Sequence, residues 1–551
     1  MQLETTLNNP YAHHYQLLIK NILNAPIYYN PEQEIVYRTD TRLSYAQFKE
    51  RVHRLANMLS DLGIKAGDTV AVMDYDSHRY LECYFAIPMI GAILHMINIR
   101  LSSEQILYTI DHAEDVIILT HTDFLPVLEQ IKGRIDVKGF ILLSDEPELP
   151  QTSLNVKGEY ETLLANSAPH FDFPDFDENM RATTFYTTGT TGLPKGVYFT
   201  HRQLVLHTLG ALATLGSAPE QGNFRQNDVY MPITPMFHVH AWGLPYVATM
   251  LGLKQVYPGR YIPDLLLELI EKEHVTFSHC VPTIMHMLFN SPKIKTMNLK
   301  GWKVMIGGAS LPKAMCQEAL RLGIDMFTGY GMSETCPILT VSQLTAEMLE
   351  QDMDAQSDIR IKTGRPMGLV EVNVVDEQMR PLPRDGHSTG EIVVRSPWLT
   401  QGYFKDQKNS ELLWSGGYLH TGDMAHIDPC GYVKITDRVK DIIKVGGEWI
   451  SSLELEDIIH RHPSVKEVAV IGIADEKWGE RPLALVVVDP NKNIDEKELL
   501  FHAKEFIKKG IMARESMLLK VKFVESIDKT SVGKINKREL RKKYAPPVAQ
   551  R

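Results

Sequence analysis

Apolar and polar positions alternate along this chain in two textures, and the switch between them gives its architecture. Leu43–Gly63 carries Phe48, Val52, Leu55, Ala56, Leu59 and Leu62 at helical 3-4 spacing, opened by a capping box of Ser44 and Gln47. Thr69–Met73 is a short apolar run that predicts a buried strand. A helix (Ser77–Ile90), a strand (Ala92–Ile97), a helix (Ser103–Ala113) and a strand (Val116–Thr120) are predicted next. Strands alternating with helices predict a mostly parallel sheet wrapped on both faces. Ala168–Arg181, rich in proline and acids, reads as a surface loop, and His201–Leu215 as a helix. A second α/β alternation covers Val229–Thr335. Around Ile359–Val394 the texture changes to short alternating strands between Pro and Gly turns, which predicts an antiparallel sheet or distorted barrel.

The strongest boundary falls near Asp437–Lys440. The predicted organisation is residues 1–436, a hinge at 437–440, and a small domain at 441–551. The small domain reads as α+β. Ser451 and Glu454 cap a helix ending before Pro463, strands follow at Val465–Ile473 and Leu483–Val488, and a helix spans about Asp495–Lys509. A strand lies around Val521–Val524, a basic helix starts at Asn536, and the tail APPVAQR is expected to be mobile.

Length and composition narrow the class. At 551 residues the chain exceeds one compact core, and 44% hydrophobic with 23% charged residues is ordinary for a globular protein. A formal net charge of −10 argues against nucleic-acid binding, which needs clustered excess cation. Five scattered cysteines (Cys83, Cys280, Cys316, Cys336, Cys430) without a C-x-x-C pair fit free thiols in a reducing cytoplasm. The N-terminus has no basic start or apolar core, so no signal peptide is expected. The longest apolar run, Leu81–Ile99, is interrupted by Glu82, Pro88, Gly91, His95 and Asn98, which predicts a buried helix leading into a strand rather than a bilayer span. Peripheral membrane contact stays open.

Candidate chemistry centres on Thr184–Val197, TFYTTGTTGLPKGV. Its threonines and glycines can place consecutive N–H groups and hydroxyls around an anion. It is not a Walker A loop, because Pro194 precedes Lys195 where that pattern needs glycine. Further on come PMFHVHAWG at Pro235–Gly243, the glycines of Gly307-Gly308-Ala309, and TGYGMSET at Thr328–Thr335. YLHTGD follows at Tyr418–Asp423, then TDRVKDIIKVGGEWI at Thr436–Ile450, and DKTSVGKINKREL around Lys534. Taken singly, several of these are ordinary: a turn aspartate, a core histidine, a solvated charge run.

In this order they resemble the motifs of the adenylate-forming superfamily: acyl- and aryl-CoA synthetases, peptide-synthetase adenylation domains and luciferases. PMFHV-x-AWG is most similar to bacterial medium- and long-chain fatty acyl-CoA synthetases. The resemblance covers nearly the whole chain. It implies a large α/β N-terminal domain of mostly parallel sheets plus a small distorted β-barrel, and a small mobile α+β C-terminal domain. It implies ATP-dependent joining of a fatty acid to CoA through acyl-AMP, with Mg²⁺ as cofactor.

The implied site follows motif by motif. Thr187, Thr188, Gly189, Thr190, Thr191, Gly192 and Lys195 form the phosphate loop. Val239, Gly308, Ala309, Thr328, Gly329, Tyr330, Gly331 and Thr335 surround the nucleotide, Tyr330 stacking on adenine and Thr335 offering a hydroxyl to the α-phosphate. Thr187 and Glu334 hold Mg²⁺. Asp423 takes the ribose hydroxyls, and Arg438 closes the site beside Asp437. Lys440 marks the hinge, while Lys444 and Trp449 lie near the nucleotide. His238, Trp242 and Gly331 line the acyl channel, with Trp242 as its gate. Gly446 and Gly447 leave a narrow passage for the CoA pantetheine. Lys534 contacts the carboxylate and α-phosphate; Asp528 stands where the family often has proline. A homodimer is expected from that branch.

Two enzyme alternatives keep the fold. One is a ligase for short substituted or aromatic acids, the other an acid–AMP ligase that loads a carrier protein. A luciferase-like oxygenase and a non-catalytic nucleotide sensor stand further off. Acyl chain length is not readable from sequence.

Overall fold

The computed structural model describes residues 11–187, 193–446, 448–475, 477–490, 492–508, 514–529 and 535–545; the side chains of 448, 449, 507, 508, 514 and 515 are outside this set. The predicted alternation folds into two stacked sheet systems. In the first, the strands Val156–Glu159, Phe140–Leu143, Asp115–His121, Thr69–Met73, Ile93–Met96 and Arg181–Thr187 run parallel, in that spatial order. Lys195–Thr200 closes the edge antiparallel. TVAVM at Thr69–Met73 is buried at every position, as an inner parallel strand covered on both faces must be. The helix Tyr45–Asp61 starts at the predicted capping box and buries Phe48, Val52, Leu55, Ala56 and Leu59. The run Leu81–Ile99 is a buried helix, His78–Met89, followed by the strand Ile93–Met96. Among the described residues no helix is long and apolar enough to cross a membrane. All five cysteines are unpaired.

The second sheet has nine strands. Its parallel centre is formed by Asp325–Gly331, Lys303–Ile306, Phe277–Cys280, Val229–Pro232, Lys254–Tyr257 and Glu34–Tyr37. Two features here differ from the sequence reading. The hairpin Glu34–Tyr37/Thr41–Ser44 was not expected, because each strand is only four residues long and carries no turn signal stronger than its neighbours. In the first sheet, Lys195–Thr200, which the sequence reading did not give as a strand, pairs antiparallel with Arg181–Thr187.

Ile359 lies in a helix, Met353–Arg360, and the antiparallel texture begins after it. That texture is a four-stranded sheet of Glu371–Val375, Gly390–Arg395, Leu419–Ile427 and Val433–Arg438. The C-terminal part has a core of its own around Leu455, Ile459, Val470, Val486 and Leu499. It is built on the hairpin Ile443–Val445/Glu448–Ile450, the long pair Val465–Asp475/Gly479–Val488, and the strand Lys520–Phe523. The Ser451 hydroxyl caps its first helix, Ser452–His460, accepting from the Glu454 N–H at 3.0 Å.

Candidate active site

In both large sheets the predicted site segments leave the carboxyl ends of parallel strands, the place where open α/β sheets bind ligands. Thr187 ends Arg181–Thr187, Gly307 follows Lys303–Ile306, Pro235 follows Val229–Pro232, and Tyr330 and Gly331 end Asp325–Gly331. Strand pairing then sets the partners. Lys195 lies opposite Thr187, Asp423 opposite Arg438, and Lys444 opposite Trp449.

Asp423 is buried, and both its oxygens are engaged. Oδ1 lies 3.1 Å from Arg438 Nε, and Oδ2 accepts from the Tyr330 hydroxyl at 2.7 Å. A ribose at Asp423 would therefore exchange protein donors for its own hydroxyls, and the Tyr330 ring is tied to the same carboxylate. Thr335 is fully buried. Its hydroxyl accepts from the Met332 N–H at 3.0 Å and donates to the Pro337 carbonyl, so an α-phosphate contact would replace bonds inside its own turn.

Glu334 is buried too, and burial raises its carboxyl pKa against the stabilising Tyr403 hydroxyl and the Arg438 and Lys195 charges. Tyr403 donates to Glu334 Oε1 at 2.7 Å, and its ring lies 4.5 Å from Lys195 Nζ. One side chain thus bridges Lys195 and Glu334, and the sequence reading did not include it. Tyr403→Phe keeps the ring and removes the hydroxyl. It is expected to raise the Mg-ATP concentration needed for half-maximal adenylation by roughly three- to tenfold, about the size of one ordinary net hydrogen bond. A titration of initial rates against Mg-ATP checks this.

The donor set fits Mg²⁺. Glu334 is a hard oxygen ligand whose buried charge a cation would compensate, and Thr187 adds a hydroxyl. Among the described residues no group of three or more His, Cys, Asp or Glu could hold a metal alone.

The segment Pro235–Gly243 is strained. Val239, His240, Ala241 and Trp242 have φ of 49°, 56°, 45° and 59°, four consecutive left-handed residues without a glycine among them. Each costs roughly 1–2 kcal/mol, and such strain persists where surroundings over-determine it. Trp242 is buried against Gly307, where a Cβ would stand 2.8 Å from the indole, and lies 4.9 Å from the His279 ring. His207, His240 and His279 are all buried, which drives each pKa down to about 3, so none of the three is charged at neutral pH. His238 is half-buried, and His240 bonds the strand Arg181–Thr187, Nε2 lying 2.8 Å from Thr183 Oγ1. Gly308 and Ala309 are exposed, and Thr328 is buried. Gly329 backs onto Met305 and Gly331 onto the Pro337 carbonyl, where a Cβ would come to 1.7 Å.

At the predicted hinge the Asp437 carboxylate accepts from the Ser452 N–H at 2.5 Å, and Arg541 pairs with Asp441 at 2.6 Å. Lys440 and Lys444 are exposed. Gly446 has φ 60° and donates its N–H to the Trp478 carbonyl at 2.8 Å. Thr188, Gly189, Thr190, Thr191, Gly192, Gly447 and Lys534 lie outside the described residues, as does the side chain of Trp449.

Comparison with known proteins decides the family. The model of the AMP-binding enzyme family matches residues 25–404, and that of the AMP-binding enzyme C-terminal domain matches 454–534. The chain belongs to the AMP-binding enzyme family. It is 39% identical over 523 residues to a long-chain-fatty-acid–CoA ligase of Thermus thermophilus, covering 93% of each chain. It is 37% identical over 540 residues to a 3-methylmercaptopropionyl-CoA ligase of Ruegeria pomeroyi, covering 96% of this chain and 97% of that one. Among solved structures, an anthranilate CoA ligase in complex with anthranoyl-AMP superposes with a TM-score of 0.82 over 96% of this chain and 97% of that chain. At 21% identity that likeness establishes the fold: a large domain of parallel sheets followed by a small C-terminal domain. The enzyme is an AMP-forming acid–thiol ligase of this family.

Proposed function

We propose that this family member activates a fatty acid. Its carboxylate attacks the α-phosphorus of ATP, forming acyl-AMP and releasing pyrophosphate. The CoA sulfur then attacks the acyl carbon, and AMP leaves. The observation that carries this reading is the meeting of Lys195, Glu334 and Tyr403 with Tyr330, Asp423 and Arg438, at the ends of the strands that also carry Gly307, against which Trp242 packs.

The reaction brings a carboxylate against a polyphosphate, so the chain's task is charge compensation and placement. Lys195 and Arg438 bring their cations toward Glu334 from two different sheets. Asp423 orients the ribose and Tyr330 the adenine. Lys534 is assigned to the carboxylate and α-phosphate, and the threonines and glycines of 188–192 to the outer phosphates. Glu334 and Thr187 would hold Mg²⁺, which when bound neutralises phosphate charge. The C-terminal domain, 441–551, is assigned a rotation about 437–440 that exchanges Lys534 for the CoA passage at Gly446 and Gly447. A cytoplasmic location and a homodimer complete the reading.

The test is pyrophosphate release with Mg-ATP and a ladder of saturated fatty acids, each with and without CoA. A CoA-dependent maximum at medium or long chain supports the proposal and gives the length. The Ruegeria relative favours one second reading, a short sulfur-substituted acid. Turnover confined to 3-methylmercaptopropionate or aryl acids would put that reading first, and CoA-independent release would favour transfer to another acceptor.

A further inference from the structure

The gate segment is held from outside the site, by residues of the first sheet. Met236, three residues before the left-handed turn, is fully buried, and both of its backbone groups are taken by side chains. Its N–H donates to Asp76 Oδ1 at 2.8 Å, and its carbonyl accepts from the Tyr84 hydroxyl. Asp76 follows the inner strand Thr69–Met73 and is 3% exposed. Its other oxygen accepts from the Tyr261 hydroxyl at 2.5 Å, and its own carbonyl accepts from the Gly259 N–H at 2.9 Å. Asp76 therefore joins the first sheet, the loop after Lys254–Tyr257 in the second, and the segment carrying Trp242.

A buried carboxylate is an expensive way to build a seam. Burial lifts the Asp76 pKa to about 7 against two donors and the charge of Arg100, with Asp74 adding to the rise. A neutral side chain would close the same gap at less cost to folding. What the carboxylate offers is two fixed acceptor directions, one toward Met236 and one toward Tyr261. The left-handed turn needs its upstream end fixed, because Val239, Ala241 and Trp242 would relax to ordinary φ if Met236 were free to rotate.

We propose that Asp76 is a positioning residue for acyl selection: by holding the Met236 N–H it fixes where Trp242 closes, with Tyr84 holding the same peptide from its carbonyl side. This rests on the reading of Trp242 as the acyl gate. Loosening the anchor lets the indole stand away from Gly307. That weakens the fit of the preferred acid and admits longer or bulkier ones, and the nucleotide side is left intact.

The experiment compares Asp76→Ala, Asp76→Asn, Tyr84→Phe and Tyr261→Phe with the unsubstituted enzyme. Fatty-acid KM, ATP KM, the profile over acyl chain length and the thermal midpoint are measured for each. Asp76→Ala is expected to raise the KM of the preferred acid at least about tenfold, the scale of a lost buried hydrogen-bond pair, while ATP KM moves less than about twofold. The chain-length profile should broaden. Tyr84→Phe should move it the same way by less. Tyr261→Phe spares the Met236 bond and should leave the profile in place. Asp76→Asn keeps one acceptor for the Met236 N–H and relieves the buried charge while its amide NH₂ faces Tyr261, so its thermal midpoint should fall less than that of Asp76→Ala, which separates the gate effect from loss of fold.

An Asp76→Ala enzyme with unmoved acid KM and profile overturns the assignment. So does a parallel rise in both KM values with a midpoint lowered as far in Asp76→Asn as in Asp76→Ala. Failure of the unsubstituted enzyme with every fatty acid overturns the gate reading itself.

Discussion

Glu334→Gln is expected to lower the rate of acyl-adenylate formation by about 10²–10³-fold, with the fold intact. Glutamine keeps an oxygen to accept from Tyr403, so the turn Ser333–Thr335 should hold its shape. The substitution also removes a buried charge, and stability is expected to be equal or higher. What is lost is the negative oxygen that would bind Mg²⁺ against the phosphates, and losing one electrostatic group aimed at developing charge costs about this much. ATP–pyrophosphate exchange reads the step directly. Thioester formation from synthetic acyl-AMP and CoA involves no pyrophosphate and should fall only several-fold. Equal loss in both assays would mean that Glu334 serves the fold or the acyl group rather than the triphosphate.

Much of this site could be read from sequence because it is carried by short contiguous strings. TTGTTGLPKG, TGYGMSET and TGD each place several groups within a few residues, and among the described ones Lys195, Glu334, Tyr330 and Asp423 come together through Tyr403 and the Tyr330–Asp423 bond. The register Asp423–Arg438 turns two separate motifs into one ion pair. The large elements were legible for the same local reason, as the capping box at Ser44 and the apolar run TVAVM show.

The residues that sequence did not reveal act across long separations. Tyr403 reaches Glu334 over 69 positions, and Asp76 reaches Met236 over 160. Neither belongs to a patterned string: DYDS reads as the lead-in to a helix cap, and QGYF as a turn. The left-handed run at Val239–Trp242 contradicts local preference, since a β-branched residue and a tryptophan avoid positive φ. Only tertiary contacts impose it. The strand Lys195–Thr200 was missed because the glycines and proline before it dominate the local signal.

Gly446→Ala should divide the two half-reactions the other way. The residue sits at φ 60°, where alanine pays about 1 kcal/mol, and its new Cβ would stand 2.9 Å from the Trp478 ring. The indole is rigid, and the Gly446 N–H is bonded to the Trp478 carbonyl, so neither side yields alone. The hairpin Ile443–Val445/Glu448–Ile450 must shift instead. Displacing a positioning element by about 1 Å costs on the order of 10²-fold in a step that depends on it. If this hairpin borders the CoA passage, thioester formation from preformed acyl-AMP should fall by about that factor. ATP–pyrophosphate exchange, for which Lys195, Glu334, Asp423 and Arg438 are assigned on other elements, should fall less, by the share that Lys444 and Trp449 on the shifted hairpin contribute. Trp478→Ala introduced beside Gly446→Ala removes the obstructing ring and should restore part of the thioester rate. A double variant no faster than Gly446→Ala would place the fault in the backbone turn. Matched losses in exchange and thioester formation would sink the division of labour between the two faces of the C-terminal domain.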